Sequence, residues 1–495
     1  MRLQGPSRVR RGDPNPMEWN MASCCSAPTE NYDLLVIGGG SAAFAAAIKA
    51  REQNVSVAVV NDGTIGGTCV NVGCIPSKNL LHAAEMVALA SQNAYPGLQM
   101  SAEVTDFAAL VRQKDEVVER LRRKKYTDLL GVYGIHLIEG RASFVSAHDV
   151  DVGGERLIWG DTVLIATGSR AWAPPIPGLD EVDWLDSTRA LDLKELPRRL
   201  AVIGGGYIAC ELGQMFHHFG SEVTILKRRP GLLTDHHEPE IGLALQSYFE
   251  AEGLGVRTGL EFRHVRKEGD EIVITVVQDG REDEVRCDQL LIAAGRVANT
   301  DGLNLEAVGV HTDERGFVRV DKTGRTSVRN ILAAGDVIGD PLLVTVAAQA
   351  AQVAVRNALN GRNDEIDVSA VPSAVFSDPQ VASVGLKEAE ARAQGFDVKV
   401  ARLSFEDVPK AAAIHETRGL IKMIADRKSD RVLGVHIVGP LAADTIHEAT
   451  LAVRFGLKAQ DLIDTVHVYP TMSEAIKMVA QTFDRDVSTL SCCAA

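Results

Sequence analysis

Residues 32–50 read YDLLVIGGGSAAFAAAIKA and are followed by VSVAVVND at 55–62. An apolar strand, a glycine turn, an alanine-rich helix and a second apolar strand make a β–α–β unit. Gly38, Gly40 and Ala43 fit the pattern GxGxxA between strand and helix, which lets backbone N–H groups at a helix start approach a pyrophosphate. At the end of the second strand such units use an acidic residue to hold a ribose hydroxyl. Asn61 stands there, able to accept a hydrogen bond but bringing no charge.

The pattern recurs in LAVIGGGYIACELG at 200–213, with Gly204, Gly206 and Ala209. Two such units imply two dinucleotides. The strand that follows the second helix, SEVTILKRR, ends in Lys227, Arg228 and Arg229. Cations at that edge suit a 2′-phosphate, so the sequence predicts NADPH over NADH. Three further apolar strands end in glycine turns: DTVLIATGSR, with Thr167-Gly168 close to a second ligand-facing turn, LLIAAGRVANT, and NILAAGDVIGD with Asp336 placed to bond a polar cofactor chain. From about Val371 a new strand-and-helix pattern runs to the end. The expected architecture is α/β: one Rossmann-like core interrupted by a second and closed by a third module.

Between the first helix and the second unit lies GGTCVNVGCIPSK, residues 66–78. On an ideal helix, residues five apart rise about 7.5 Å and point in different directions, so Cys69 and Cys74 can meet only at a distorted helix entry. The Gly66-Gly67 pair and Pro76 supply the irregularity. A thiol at a helix start has its pKa lowered and its thiolate favoured, so the pair reads as redox-active. Residues 106–130 place apolar positions at helical spacing among alternating charges and predict one long amphipathic helix with Tyr126 half-buried near its end. The pairs His217-His218 and His236-His237 lack a matching carboxylate or thiol constellation and are expected on the surface.

The chain of 495 residues is long enough for about three domains. Acidic residues outnumber basic ones by 66 to 52, a net charge of -14, which argues against nucleic acid as a partner. The longest apolar run, Leu34 to Ile48, is broken by glycines and shorter than the roughly 20 residues of a membrane span. Eight cysteines in so long a chain do not resemble a secreted disulfide scaffold, so a soluble protein of the reducing cytoplasm is expected. Residues 1–29, rich in Pro, Arg, Ser and Asn, read as a disordered tail without a signal peptide, in which Cys24-Cys25 has no assigned role. The last residues are LSCCAA. Adjacent Cα atoms lie about 3.8 Å apart, below the usual disulfide range, so Cys492-Cys493 remains a pair of thiols suited to a soft cation.

GxGxxA, CVNVGC, GGGYIACELG and AAGD, in this order over nearly the whole chain from Tyr32, resemble the flavoprotein disulfide reductases. The resemblance implies FAD in the first unit, with Gly67 and Thr68 beside it, NADPH in the second, and a C-terminal domain that makes a homodimer. It implies the domain limits 1–29 for the tail, 30–180 and 298–370 for the two parts of the FAD domain, 181–297 for the NADPH domain and 371–495 for the dimerisation domain. It also implies that Cys74 contacts the flavin, that Cys69 exchanges with substrate, and that Lys78 and Glu211 form an ion pair beside the reactive flavin nitrogen.

Most dithiol-exchanging members of that family carry His-Pro-Thr-x-x-Glu near the end, its histidine serving as acid and base. Here the stretch is YPTMSE, 469–474. A phenol with a pKa of about 10 is a poor proton shuttle at neutral pH. A redox dithiol, a terminal Cys-Cys and tyrosine for histidine are similar to the mercury-reducing branch of the family. That implies mercuric ion, arriving as a thiol complex, bound by Cys69, Cys74, Cys492 and Cys493. Tyr126 and Tyr469 would help to hold it, and the tail would act on the other subunit's site. No GMTCxxC motif precedes Tyr32, so delivery is expected from thiol complexes or from the tail. A thioredoxin reductase-like enzyme and a noncatalytic soft-metal-binding dimer are the rival readings.

Overall fold

The computed structural model describes residues 30–91 and 93–489; the N-terminal tail with Cys24-Cys25 and the terminal Cys492-Cys493 lie outside the described residues. Strand Glu30–Ile37 lies parallel between Val57–Asn61 and Arg156–Ile165. Its run Leu34-Leu35-Val36 is fully buried, because a parallel sheet is covered on both faces. His136–Glu139 extends one edge in parallel, and the antiparallel strands Asp149–Val152 and Ala142–Phe144 extend the other side.

The sheet is completed by a strand from far along the chain. Ile331–Ala333 pairs in parallel with Arg156–Ile165, Ile331 opposite Val163 and Ala333 opposite Ile165. The following helix, Val344–Asn360, packs on helix Ser41–Arg51. Their contact is a cluster of buried alanines, among them Ala46, Ala47, Ala50, Ala350, Ala351 and Ala354, whose small side chains let the helices pack closely.

The intervening chain builds the second unit, four parallel strands in the order Gly255–Arg257, Glu222–Leu226, Arg199–Ile203 and Gln289–Ile292. An antiparallel meander, Glu261–Glu268, Glu271–Gln278 and Arg281–Cys287, packs Val265, Ile274 and Val276 against Ala201, Ile203 and Leu226. The third module is an antiparallel sheet in the order Ser373–Val375, Gln380–Gly385, Val432–Gly439, Leu420–Asp426 and Val398–Ser404. Helices Ala442–Phe455 and Glu474–Gln481 share its core.

Both glycine turns use the same device. Gly38 has φ +118°, and a Cβ there would lie 2.3 Å from the carbonyl oxygen of Ala166; Gly204 has φ +142°, with Ala293 O at 2.2 Å. Only glycine permits both the conformation and the approach to the neighbouring strand end.

Two expectations are corrected. The single helix over 106–130 is three segments: Phe107–Arg122, a π-helical turn Arg123–Thr127, and Asp128–Tyr133. The π turn carries Tyr126, which is half-buried as expected. The paired histidines also differ from the surface reading. His236 is exposed, but His237 is fully buried, and the nearly buried His218 meets Glu252 at 3.1 Å. The third module docks here, with Arg418 on Glu252 and Ser383 on His237, a burial that local polarity does not register.

The same interface holds a buried ion cluster. Lys422, 2% exposed, reaches Glu240 at 2.5 Å, Glu388 at 2.9 Å and Glu238 at 3.1 Å, and Arg402 forks onto Glu240 at 2.6 and 2.9 Å. Removing one partner of a buried ion pair costs about 3–5 kcal/mol, so Lys422→Met is expected to destabilise the protein by roughly that amount in denaturant unfolding. Glu240 is held down to about 2 from 4.5, chiefly by Arg402 and then by Lys422. Its contribution is full above pH 4.5 and disappears as pH falls toward 2. In acid titrations of stability, Glu240→Gln is expected to flatten the loss across that window.

Candidate active site

The dithiol is made by a break in a helix. Helix Gly67–Val72 stops at Gly73, and helix Cys74–Ser91 begins at the next residue. A Cβ on Gly73 would lie 2.9 Å from Thr68 O and 3.3 Å from the Cys69 Cα, so the break lays the second helix start on the first and brings Cys74 to Cys69. Asn71 holds the entry: its Nδ2 donates to Ile65 O at 2.9 Å and Gly67 O at 3.0 Å, and its Oδ1 accepts from Arg122 at 3.3 Å. Cys69, Cys74, Cys210 and Cys287 are free thiols, the last two buried away from this site.

The two thiols differ in character. Cys74 is lowered to about 7, first by a hydrogen bond from Cys69 and, against the effect of burial, by the charge of Lys78 and by its own backbone N–H at the helix start. Cys69 is raised by the same hydrogen bond and by burial. Near neutral pH a substantial share of Cys74 is therefore thiolate, accepting from a thiol at Cys69.

Lys78, one turn after Cys74, donates to Glu211 Oε2 at 2.7 Å. Glu211 is 7% exposed, and its other oxygen accepts from the Phe376 backbone N–H at 3.0 Å. The Phe376 ring lies under the Lys78 ammonium, 4.4 Å from its centroid. One carboxylate thus joins the dithiol helix, the second glycine-turn helix and the third module.

Tyr126 packs edge-on against Phe44, ring centroids 4.9 Å apart, and its hydroxyl lies 3.0 Å from Ser41 Oγ. Its phenol is raised, mainly by burial, with both thiols adding to the shift through their charge. Tyr469 is 53% exposed on the third module, next to Val468 at 77% and near Val466 at 92%. His467 is held away from that surface by Glu448 at 2.8 Å.

The glycine turns fit dinucleotides. Helices Ser41–Arg51 and Tyr207–His218 both begin without a side-chain cap, leaving their first N–H groups for a ligand. A Cβ on Gly206 or Gly168 would meet nothing within 4 Å, whereas one on Gly67 would lie 2.6 Å from the Gly40 Cα, so the dithiol loop abuts the first turn. Ala43 and Ala209 are fully buried beneath the turns. The buried Thr167 Oγ1 lacks a hydrogen-bond partner among the described residues. Asn61 Nδ2 donates to Gly63 O at 2.6 Å, and Asp336 accepts from Ser169 at 2.9 Å. Thr68 is exposed on the loop side.

The basic strand end differs from expectation. Lys227 is 7% exposed and donates to Gly231 O at 2.7 Å and Thr234 Oγ1 at 3.1 Å; Arg229 pairs with Asp235 at 2.6 Å. The loop 230–235 folds back and consumes both charges. Of the three cations, Arg228 is exposed and has no ion pair among the described residues. Phe376, Ser41 and Tyr207 were missed by sequence reasoning, although Ser41, directly after Gly40, and Tyr207, directly after Gly206, lay within the two recognised glycine motifs.

Fold and site define an oxidoreductase that takes electrons from a pyridine nucleotide and delivers them through a half-buried dithiol. The chain belongs to the pyridine nucleotide-disulphide oxidoreductase family, which matches residues 32–356; the family's dimerisation domain matches residues 371–480. It is similar to mercuric reductases from Staphylococcus aureus, 46% identical over 95% of this chain and 87% of that one, and from Streptomyces lividans, 45% identical over 94% and 98%. It also resembles the structure of the HOCl-induced flavoprotein disulfide reductase RclA from Escherichia coli, with a TM-score of 0.81 and 32% identity over 91% of this chain and 99% of that one. The cofactors are FAD and NADPH, and the third module is the family's dimerisation domain. Among the described residues no helix is long and apolar enough to cross a membrane.

In the pre-reduced enzyme, alkylation of Cys74 by iodoacetamide is expected to rise with pH through a midpoint near 7. Cys69→Ala removes the hydrogen bond that stabilises the thiolate and moves the midpoint upward, as read by mass spectrometry of the labelled peptide.

Proposed function

We propose that this protein is a mercuric reductase in which Cys69 and Cys74 hold the ion as a dithiolate. NADPH gives up a hydride and becomes NADP⁺ with release of a proton; mercuric ion gains two electrons and leaves as the neutral atom. Bound FAD supplies the two-electron relay between them. The first turn, with Gly38, Gly40, Ala43, Asn61, Gly67, Thr68, Thr167, Gly168 and Asp336, holds FAD. The second, with Gly204, Gly206, Ala209 and Arg228, holds NADPH.

The observation that carries the reading is the character of the thiol pair and its neighbours. A thiolate and a hydrogen-bonded thiol present two soft sulfurs, shifted by each other, by Lys78 and by Glu211, and the stretch YPTMSE carries Tyr469 where most dithiol-exchanging members of the family carry the acid–base histidine. Disulfide exchange needs an acid and base to move protons between sulfurs; transfer of a soft cation between thiolates needs sulfur ligands and release of the Cys69 proton. Lys78, tied to Glu211, keeps negative charge on the pair. Tyr126 is held above the loop by Ser41 and Phe44, within electrostatic reach of both sulfurs. Leu451, Phe455, Val466, Val468 and Tyr469 are apolar or aromatic side chains left exposed on the dimerisation domain, which supports Tyr469 meeting the partner's site. The terminal Cys492-Cys493 would collect the ion and hand it to the partner's dithiol by ligand exchange. The free thiols fit a reducing cytoplasm.

Mercury-dependent NADPH oxidation in excess small thiol tests the reading. Cys69→Ala or Cys74→Ala is expected to reduce it to background, and full activity in either would overturn the mechanism. Tyr469→Phe is expected to lower turnover about tenfold, equivalent to roughly 1.4 kcal/mol of barrier. Cys492→Ala/Cys493→Ala weakens turnover when the thiol is in large excess. Reduction of oxidised thioredoxin with mercury acting only as inhibitor would replace this reading with that of a dithiol reductase.

A further inference from the structure

The chain is acidic, with a net charge of -14, yet residues 119–125 read ERLRRKK. Arg120, Arg123, Lys124 and Lys125 are exposed, and none of them has an ion pair among the described residues. Elsewhere many cations of this chain are tied to carboxylates, as Arg229 is to Asp235, Arg402 to Glu240 and Arg418 to Glu252. Glu116, Glu119 and Asp128 flank the run without offsetting it. Basic residues suit the negative end of a helix dipole. That does not account for the run, because helix Phe107–Arg122 continues through the π turn Arg123–Thr127 into Asp128–Tyr133, and no helix end stands at these cations.

The inner side of the same segment meets the dithiol loop. Arg122 Nη1 donates at 3.3 Å to Oδ1 of Asn71, which lies between Cys69 and Cys74 in sequence. A Cβ on Gly66 would lie 3.5 Å from Tyr126 Cδ2, and charge on both sulfurs acts on the Tyr126 phenol. Lys125 directly precedes Tyr126. The exposed cations therefore stand on the outer side of an element whose inner side walls the thiol pair.

A protein of this net charge repels an anion as it approaches, and a local run of opposite sign reverses the effect within a Debye length, about 10 Å at 0.1 M salt. Two thiolates neutralise a mercuric ion, so the net charge of the complex is set by the other groups its thiols carry. Carboxylates, with a pKa of about 4, leave such a complex anionic at neutral pH. We propose that the cations of 120–125 form an electrostatic rim for the dithiol site, and that the form of mercuric ion this enzyme favours is an anionic bis-thiolate whose thiols carry carboxylate or sulfonate groups. The proposal rests on the reading of the dithiol as the mercury site.

The test is mercury-dependent NADPH oxidation by the FAD-loaded enzyme at saturating NADPH, with mercuric ion presented in excess 2-mercaptoethanesulfonate, 2-mercaptoethanol or cysteamine. These give a dianionic, an uncharged and a dicationic complex. The quantity read is the ratio of kcat/KM for the sulfonate complex to that for the uncharged one; differences in sulfur reactivity cancel when a variant's ratio is compared with the parent's. Lys124→Glu/Lys125→Glu is expected to lower the ratio about tenfold and to raise the corresponding ratio for cysteamine. Arg120→Glu/Arg123→Glu, in the turn before, is expected to move both ratios in the same directions. In the parent, the sulfonate ratio is expected to fall several-fold as sodium nitrate raises the ionic strength from about 10 mM to about 0.15 M, which shortens the Debye length from about 30 Å to about 8 Å. Ratios within about twofold of the parent's in both double variants, or a parent ratio indifferent to salt, overturn the proposal. Equal losses with all three complexes also overturn it, because the run would then support the fold of the dithiol loop. Absence of mercury-dependent oxidation by the parent with every complex would instead sink the reading of the dithiol as the mercury site, and the proposal with it.

Discussion

The carboxylate of Glu211 is the constraint on which the active site depends. It is nearly buried, and it is compensated by one ammonium and one backbone N–H that come from different modules. A carboxylate in such a place is tolerated only while both partners are present. The dithiol helix, the second nucleotide helix and the dimerisation domain therefore meet at this one group, beside the Arg418–Glu252 and Lys422 contacts that dock the domain. Lys78, fixed by that contact, then acts on Cys74. Electrostatics at the sulfurs and docking of the modules are one problem with one solution.

The thiol pair gains its asymmetry from where the helix breaks. With Gly73 between them, Cys74 takes the helix start and the nearby ammonium while Cys69 remains its hydrogen-bond donor. Two equivalent thiols would both be protonated at neutral pH or would repel as a dianion. Here one sulfur is charged in advance, and the second proton is lost when a cation arrives to replace it. The π turn before Asp128 belongs to the same region: it carries Tyr126, whose ring packs edge-on against Phe44.

The parts of the fold that follow from local pattern were readable in the sequence. Strand, glycine turn and helix at 32–50 and 200–213 are contiguous, and the close approaches of Gly38 and Gly204 follow from that geometry. The dithiol was readable because Gly66, Gly67 and Pro76 mark a broken helix entry. What was not readable depends on chain that arrives from elsewhere. Lys227 has the position of a phosphate ligand, but the loop 230–235 closes over it. His237 is polar in a polar stretch, and its burial is decided by Ser383, in another module. The π turn leaves no clear mark, since residues 123–127 are as compatible with an α-helix.

The strand Ile331–Ala333 has a consequence for synthesis. It fills the last place in the first sheet, beside Arg156–Ile165, and the whole second nucleotide unit lies between the two in sequence. As the chain leaves the ribosome, the second unit has all its strands in hand before the first does. The unit that begins first must wait with a sheet edge open and its alanine-lined helix uncovered until Val344–Asn360 follows. The fold therefore orders its own assembly: the inserted unit matures early, the enclosing one closes around it, and the dimerisation domain, last in sequence, joins a core already formed.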